Sequence, residues 1–198
     1  GYAATVDRAW TDGVRVAVDV VNAAGGVNGR KLEVIVEDNR SEPQEAVTVY
    51  KKMMSSDKVD AFLSGCVSAG NLAAAGMVAK AQIPMVLCSI LPQNADHVKW
   101  AFSTLPPAGF EVAKRMEFLK ENTQIRKVGV LHDPTPYANL QKGFAEKNAA
   151  SYDLTLAGVD QYKQDDADLS VQIGKMNANG AGAVLKIGLG GKIGRAHV

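Results

Sequence analysis

Residues 63–76, "LSGCVSAGNLAAAG", pass from an apolar strand pattern straight into a helix of small residues. Their junction holds Ser68, Gly70 and Asn71 and no bulky side chain. A helix that begins there presents free backbone N–H groups and a partial positive charge beyond the end of the strand. The stretch predicts a parallel α/β sheet whose carboxyl edge can hold an anion, with Ser68 as an ordinary N-cap as the alternative.

The rest of the chain repeats this alternation of strand and helix patterns. Helical spacing of apolar residues predicts helices over residues 6–24, 43–53, 68–81, 110–121, 137–150 and 167–179. Strands are predicted at 31–38 ("KLEVIVED"), 59–65, 84–90, 98–104, 127–133, 154–159 and 181–188. Strict alternation is typical of parallel sheets with crossover helices, so we expect an α/β protein of two doubly wound parallel-sheet lobes.

A proline pair, Pro106–Pro107, is the best candidate for the boundary between the lobes. We expect an N-terminal lobe at 1–105 and a partial C-terminal lobe at 106–191. A doubly wound sheet normally begins with a strand, whereas this chain begins with a loop and a helix, so we expect its first strand to be missing. Residues 193–198 match a sequencing-adapter translation, and 192–198 are expected to be a non-native tail.

The composition is that of an ordinary globular protein, with 46% hydrophobic and 22% charged residues over 198 positions. A formal net charge of +1 gives no electrostatic reason to expect nucleic acid as a partner. No apolar run reaches the roughly 20 residues that a membrane-spanning helix needs. The two cysteines, Cys66 and Cys88, fit no metal motif. They follow neighbouring strands and could form a disulfide, but we favour two buried free thiols.

Several motifs suggest an enzyme, but only weakly. The glycines of "GLGGKIG" (188–194) follow a strand, yet their spacing is not GxGxxG and no helix pattern follows. His132 and Asp133 are adjacent at a strand end, but no nucleophile elbow accompanies them, so a structural histidine is favoured. Asp166 and Asp168 precede a helix, where a carboxylate caps free N–H groups. We expect no enzymatic activity, no cofactor and no metal.

Two further loops leave strands at a carboxyl edge. "LCSILPQN" (87–94) brings Ser89 near Ser68, and "HDPTPYAN" (132–139) brings Tyr137 to the edge of the second sheet. Two such edges that face each other across a hinge would form a cleft for a small polar ligand. Tyr137 could equally pack on its own domain.

These residues resemble a known family. The run "NAAGGVNGRKLEVIVEDNRSEPQEAV" and the later "GCVSAG", "IPMV" and "VGVLHD…YA" are similar to the type I periplasmic binding proteins of the leucine/isoleucine/valine-binding group. The resemblance covers residues 1 to about 191. It implies a periplasmic or extracellular receptor, without a cofactor and monomeric, that closes over an amino acid or related carboxylate and delivers it to an ABC permease.

The resemblance also implies site residues. Ser68, with Ala69 beside it, matches the serine that holds the ligand carboxylate, and Ser89 matches a position of backbone contacts. Tyr137 matches a cleft tyrosine of the second lobe, and Tyr2 matches an aromatic residue after the first strand.

The chain departs from the family pattern at two places. Leu91 replaces a frequent threonine, which favours an aromatic or aliphatic carboxylate as ligand. Ser41 stands where one family cysteine would be, so the usual disulfide is expected to be absent. The acid that pairs with a ligand ammonium would lie beyond residue 191, and Lys186 is either a substitute contact or a solvated lysine. We expect these 198 residues alone to fold poorly and bind weakly.

The alternative from another class is the ligand-sensing domain of a regulator or receptor with the same fold. A DNA-binding segment before it or a transmembrane helix after it would favour that function. A nucleotide-dependent enzyme is disfavoured, because "KLEVIVED" leads into Asn39, Arg40 and Ser41 rather than a glycine-rich loop.

Overall fold

The structure is a computed structural model and describes residues 1, 3–91, 99–163, 166 and 168–188. The chain divides into two compact units, Gly1–Leu105 and Pro106–Val198. The α-helices are α1 (Ala4–Ala23), α2 (Pro43–Lys52), α3 (Ser68–Lys80), α4 (Phe110–Asn122), α5 (Pro136–Asn148) and α6 (Ser170–Ala178). The strands are β1 (Phe62–Ser64), β2 (Met85–Leu87), β3 (Ala101–Ser103), β4 (Lys127–His132), β5 (Thr155–Gln161) and β6 (Ala183–Ile187).

The first unit is built on a parallel sheet of order β1-β2-β3. Phe62 pairs with Met85, and Met85 pairs in turn with Ala101. Helix α3 connects β1 to β2, and α2 packs against α3. The core between sheet and helices consists of Ala46, Tyr50, Phe62, Ala74, Val78, Met85 and Leu87. Because β1 and β2 are parallel neighbours, the loops that follow them leave the sheet side by side.

The second unit has a parallel sheet of order β5-β4-β6. Central strand β4 pairs along its length with β5 on one side and β6 on the other. Its side chains from residue 128 onward are buried, as expected for a strand covered on both faces. The main core joins β4 and β6 to α4 and α5, through Val112, Met116, Val128, Val130, Ala138, Ala145, Leu185 and Ile187 among others.

Most of the expected elements are confirmed, including the α/β class and both parallel sheets. Helix α3 begins at Ser68, as the small-residue pattern predicts. Apart from β5, which extends to Gln161, the strands are shorter than predicted, because a ladder exists only where a neighbour pairs. The predicted tail at 192–198 and the start of the predicted helix at 167 lie outside the described residues.

The prediction of a strand at 31–38 is wrong for this structure. These residues carry no regular secondary structure and are exposed throughout. The alternation of "KLEVIVED" is a strand pattern, and Leu32, Val34, Ile35 and Val36 are each at least 36% exposed. A strand needs a neighbour for its ladder hydrogen bonds, and no described strand lies beside this segment.

The inward face expected for the first helix is also absent. Helix α1 spans 20 residues, but none of them is buried. Val14, Val18 and Val21 are half-buried, and Ala17 is exposed. The helical propensity of its residues and the spacing of its apolar side chains are sufficient for α1 to form. Burial of its apolar stripe additionally requires a packing surface, which the three-stranded sheet does not provide.

Candidate functional site

The junction between β1 and α3 begins the helix without a side-chain cap. Val67 is the N-cap residue and Ser68 is the first helical residue, so the interpretation of Ser68 as an N-cap is wrong. The first helical hydrogen bond runs from the N–H of Asn71 to the carbonyl of Val67, at 3.0 Å. The N–H groups of residues 68–70 precede that bond and have no acceptor within the helix. The turn therefore offers backbone donors at the carboxyl edge of the sheet.

Ser68 adds a side-chain donor to this turn. Its residue is only 3% exposed. In the described part of the chain its hydroxyl makes no hydrogen bond, unlike the neighbouring buried hydroxyls of Ser64 and Ser89. A hydroxyl and successive amides at a helix start are suited to a carboxylate, without any cationic side chain.

A disulfide joins Cys66 to Cys88, so the expectation of two free thiols is wrong. The register explains the pairing. Ser64 and Leu87 are partners across β1 and β2, and the chains leave this edge in parallel, which brings the two Cα atoms to 4.6 Å. The bridge fastens the loop that carries Ser68 to the loop that carries Ser89.

Asn71 ties the same two loops by hydrogen bonds. Its amide nitrogen donates to the carbonyl of Gly65 at 2.7 Å and to the hydroxyl of Ser89 at 2.8 Å. Its amide oxygen accepts from the Tyr50 hydroxyl at 3.2 Å. Burial raises the pKa of Tyr50 to about 12, which keeps this phenol neutral and able to donate. Asn71 thus connects α3, both loops and α2.

The other small and apolar residues of this edge lie against the first unit as follows. A side chain at Gly70 would meet the Cβ of Ala46 at 3.0 Å, so this glycine permits close packing of α3 on α2. Ala69 is half-buried, and Leu91 packs against the core of the first unit. Tyr2 lies outside the described residues.

Asp7 of α1 reaches the same junction. Its Oδ1 accepts a hydrogen bond from the N–H of Cys66 at 2.6 Å. A Cβ on Gly65 would lie 2.5 Å from that oxygen, so the glycine makes room for the carboxylate. The contact connects a carboxylate to the β1–α3 loop, 59 residues away in sequence.

At the second sheet, the predicted residue Tyr137 is hydrogen-bonded within its own unit. Tyr137, the second residue of α5, donates its hydroxyl to Glu111, and Gln141 donates to the same carboxylate at 3.4 Å. Burial first, and then the Glu111 carboxylate, raise the pKa of Tyr137 to about 12. The Tyr137 hydroxyl therefore agrees with the alternative in which this residue packs on its own domain.

The edge charges of this sheet also face their own unit. The Asp133 carboxylate accepts from the N–H of Thr135 at 3.0 Å and from its hydroxyl, while the His132 ring contacts the backbone carbonyl of Asp133 rather than its carboxylate. The ammonium group of Lys186 lies 5.4 Å from the ring centre of Tyr162. Burial lowers the pKa of Lys186, because desolvation disfavours its charged ammonium form.

A groove of about 440 Å³ lies away from the strand ends, between α4 and β6. It is lined by Lys114, Arg115, Phe118, Leu119 and residues 183–186. Apart from Lys186, it contains none of the side chains considered as ligand contacts. Its lining of aliphatic and aromatic carbons and three cationic side chains lacks the convergent polar groups of a specific site.

The pattern of known periplasmic binding proteins matches residues 1–196. The chain belongs to the periplasmic binding protein family. An amino acid binding protein of Pseudomonas aeruginosa is 25% identical over 96% of this chain and 51% of its own length. The chain therefore spans about half the length of the curated relatives it matches.

Solved structures of the family share the fold. The branched-chain amino acid transporter substrate binding protein LivJ of Streptococcus pneumoniae, in complex with isoleucine, superposes with a TM-score of 0.80 at 27% identity. That match covers 95% of this chain and 54% of the other. A solute binding protein of Rhodopseudomonas palustris BisB5, in complex with 3,4-dihydroxybenzoic acid, has a TM-score of 0.81 at 16% identity, with 94% and 51% covered.

The sequence did not predict the contacts of two residues, Asn71 and Asp7, at the carboxyl edge of the first sheet. The sequence indicates only that Asn71 is a small polar residue of the junction and that Asp7 belongs to a helix. The helical spacing of Asp7 places it in the first turn of α1, but nothing in the sequence indicates that this turn reaches Cys66. Across the described residues, no group of three or more metal-binding side chains is assembled. No helix there has both the length and the apolar character of a membrane span.

Proposed function

We propose that the protein is an extracytoplasmic solute receptor that captures an amino acid or a related small carboxylate and supplies it to an ABC permease. The observation that carries this proposal is the uncapped start of α3, where Ser68 and the amides of residues 68–70 have no partner in the helix. Family membership supports the class of function, and the names of the relatives support the class of ligand.

The chemistry of the first edge suits a carboxylate with an apolar substituent. The amides and the Ser68 hydroxyl donate to the carboxylate, and hydrogen bonds to a charged acceptor are about twice as strong as neutral ones. Ser89 lies on the neighbouring loop. The aliphatic side chain of Leu91 would contact an aliphatic or aromatic substituent of the ligand. Tyr137 would contribute its ring, because its hydroxyl is bound to Glu111.

The disulfide supports the extracytoplasmic location. Disulfides persist in oxidising compartments such as the periplasm and are rare in the reducing cytosol. Cys66–Cys88 lies within the proposed site, so an oxidising compartment would preserve the arrangement of its two loops.

The test is ligand-induced thermal stabilisation of the full-length protein, followed by isothermal titration. A ligand at one hundred times its Kd stabilises the folded state by about 2.7 kcal/mol. We expect at least one amino acid or aromatic acid of a screening panel to raise Tm, and Ser68→Ala to weaken its binding by about tenfold, through loss of a hydrogen bond to a charged group.

Ser170→Ala is the matched control, since Ser170 is also the first residue of a helix but is exposed in α6. It should leave the affinity unchanged. Equal affinity of wild type and Ser68→Ala would show that the ligand does not use the start of α3.

A further inference from the structure

The sequence contains two Asn–Gly pairs, Asn28–Gly29 in the first unit and Asn179–Gly180 in the second. An asparagine followed by glycine can cyclise, because no Cβ on the glycine hinders its backbone nitrogen from reaching the asparagine side chain. The reaction needs a glycine N–H that no acceptor holds, an asparagine amide that is free to turn, and a backbone that can move. The two pairs differ in all three respects.

Asn28 and Gly29 are exposed at the centre of the turn that connects α1 to residues 31–38. Their φ angles of 51° and 78° are typical of a two-residue type I′ turn. The turn is closed by two backbone hydrogen bonds between Val27 and Arg30, of 2.8 and 3.0 Å. Within the described residues, neither the Gly29 N–H nor the Asn28 side chain has a hydrogen-bond partner. Such a surface turn opens at little cost in free energy.

Asn179 and Gly180 are held at the end of α6. The Asn179 side-chain nitrogen donates to the carbonyl of Ala157 at 2.8 Å, and the N–H of Gly180 donates to the carbonyl of Asn177, also at 2.8 Å. Asn179 is itself the C-cap residue of the helix, and its N–H donates to the carbonyl of Lys175 at 3.1 Å. Cyclisation of this pair has to break the hydrogen bonds that fix both reacting groups, so the second unit protects it.

We propose that Asn28 is a site of spontaneous deamidation in the folded protein and that Asn179 is not. The nitrogen of Gly29 forms a bond to Cγ of Asn28, and the proton that it loses leaves with the side-chain amide group as ammonia. Water then opens the resulting succinimide ring at one of its carbonyls, which leaves aspartate or isoaspartate at position 28. Nothing is oxidised or reduced, and the co-reactant is water.

Deamidation changes the turn in charge and in length. Either product adds a negative charge beside Arg30, and isoaspartate also adds one carbon atom to the main chain. A two-residue turn fits its bridge in one register, so we expect the isoaspartate form to lose the hydrogen bonds between Val27 and Arg30. Asn22, whose side chain bonds both the N–H and the carbonyl of Leu32, still connects α1 to residues 31–38. No residue named for ligand binding lies in this turn, so ligand affinity should not change.

The experiment is peptide mapping of the full-length protein after incubation in mildly alkaline buffer, which favours removal of the glycine N–H proton. Trypsin cleaves after lysine and arginine, so the two pairs lie in separate peptides, 16–30 and 176–186. Chromatography with mass spectrometry separates the asparagine, aspartate and isoaspartate forms, and fragment ions assign the modified position. The control is the same protein unfolded in guanidinium chloride, where sequence alone sets both rates. Incubation continues until half of each pair in the unfolded sample has reacted.

We expect conversion of Asn28 to be at least tenfold faster than that of Asn179 in the folded protein, and the two rates to become similar on unfolding. A ratio of the two rates that is no larger in the folded than in the unfolded sample would overturn the inference, because the hydrogen bonds of Asn179 would then give no protection. An Asn28 that reacts only after unfolding would also overturn it, since the turn would then stay closed. Neither result bears on the proposed function.

Discussion

The carboxyl edges of the two sheets differ in what they leave unpaired. At the first, the Ser68 hydroxyl and the amides of residues 68–70 have no partner within the described residues, although a disulfide and Asn71 connect the surrounding loops. At the second, Tyr137 is bound to Glu111 and the Asp133 carboxylate to Thr135. Both edges are polar, but at the second Tyr137 and Asp133 already have partners, while the buried Tyr162 hydroxyl has none among the described residues.

The difference shows that a polar strand end is not in itself a binding site. A site needs donors or acceptors that the fold leaves free and a frame that holds them in place, because mobile groups would lose entropy on binding. The first edge meets both conditions. At the second edge, the polar groups of Tyr137 and Asp133 are bound within their own unit and the hydroxyl of Tyr162 is buried without a partner, so we assign this edge a lesser share of the binding energy.

The largest effect on stability is expected from removal of the Cys66–Cys88 disulfide, which connects the two loops of the first edge. Cys66→Ala combined with Cys88→Ala opens a loop closed over a sequence separation of 22 residues. A loop of this size corresponds to a loss of about 3 kcal/mol in the free energy of unfolding. Urea denaturation of the full-length protein measures it, and titration should show weaker ligand binding as well.

Reducing agent supplies the control for this prediction. It should destabilise the wild type and leave the double variant unchanged. A double variant as stable as the oxidised wild type, with unchanged affinity, would mean that the hydrogen bonds alone hold the first edge in place.

A smaller effect is expected from the polar part of the frame. Asn71→Ala leaves the Tyr50 hydroxyl, the Ser89 hydroxyl and the Gly65 carbonyl without this partner, and all three lie in or beside the core. Unsatisfied buried groups of this kind cost about 2 kcal/mol. Denaturation midpoints and ligand affinity should both fall.

Asn139→Ala tests the comparison at the second unit. Asn139 is exposed on α5, and its single side-chain bond is long, at 3.4 Å. Its replacement should change stability by less than about 0.5 kcal/mol. If the two asparagine variants behave alike, Asn71 is not a structural support of the first edge.

Much of this organisation was predictable from local patterns. Small residues after a strand place the start of α3, and the alternation of elements gives both parallel sheets. These features depend on spacing and propensity, which neighbouring residues determine. The position of Ser68 at a strand end follows from the same local signals, and the structure places it there.

The predictions that were wrong concern features that depend on a neighbouring strand, helix or loop distant in sequence. "KLEVIVED" has the pattern of a strand but no partner in the sheet, and the apolar stripe of α1 has no surface beneath it. The Cys66–Cys88 bridge depends on the register between β1 and β2, which periodicity alone does not define. The Asp7–Cys66 contact spans 59 residues, and the engagement of Tyr137 with Glu111 spans 26. Such pairings belong to the tertiary structure.

The smallest effect on ligand affinity is expected from Tyr137→Phe, which retains the ring and removes the hydroxyl that Glu111 accepts. Affinity should stay within about twofold of wild type, because the hydroxyl already has a partner.

The pKa of Tyr137 is raised to about 12, mainly by burial, whereas an unfolded tyrosine ionises near 10. The unfolded chain therefore releases this proton first as pH rises, so the stability associated with the neutral phenol is complete below pH 10 and declines between about pH 10 and 12. Absorbance titration at high pH should show one fewer late-ionising tyrosine in the variant, with Tyr50→Phe as the corresponding change at the first edge. A large loss of ligand affinity in Tyr137→Phe, with normal stability, would mean that the hydroxyl leaves Glu111 for the ligand, and the contrast between the two edges would then be wrong.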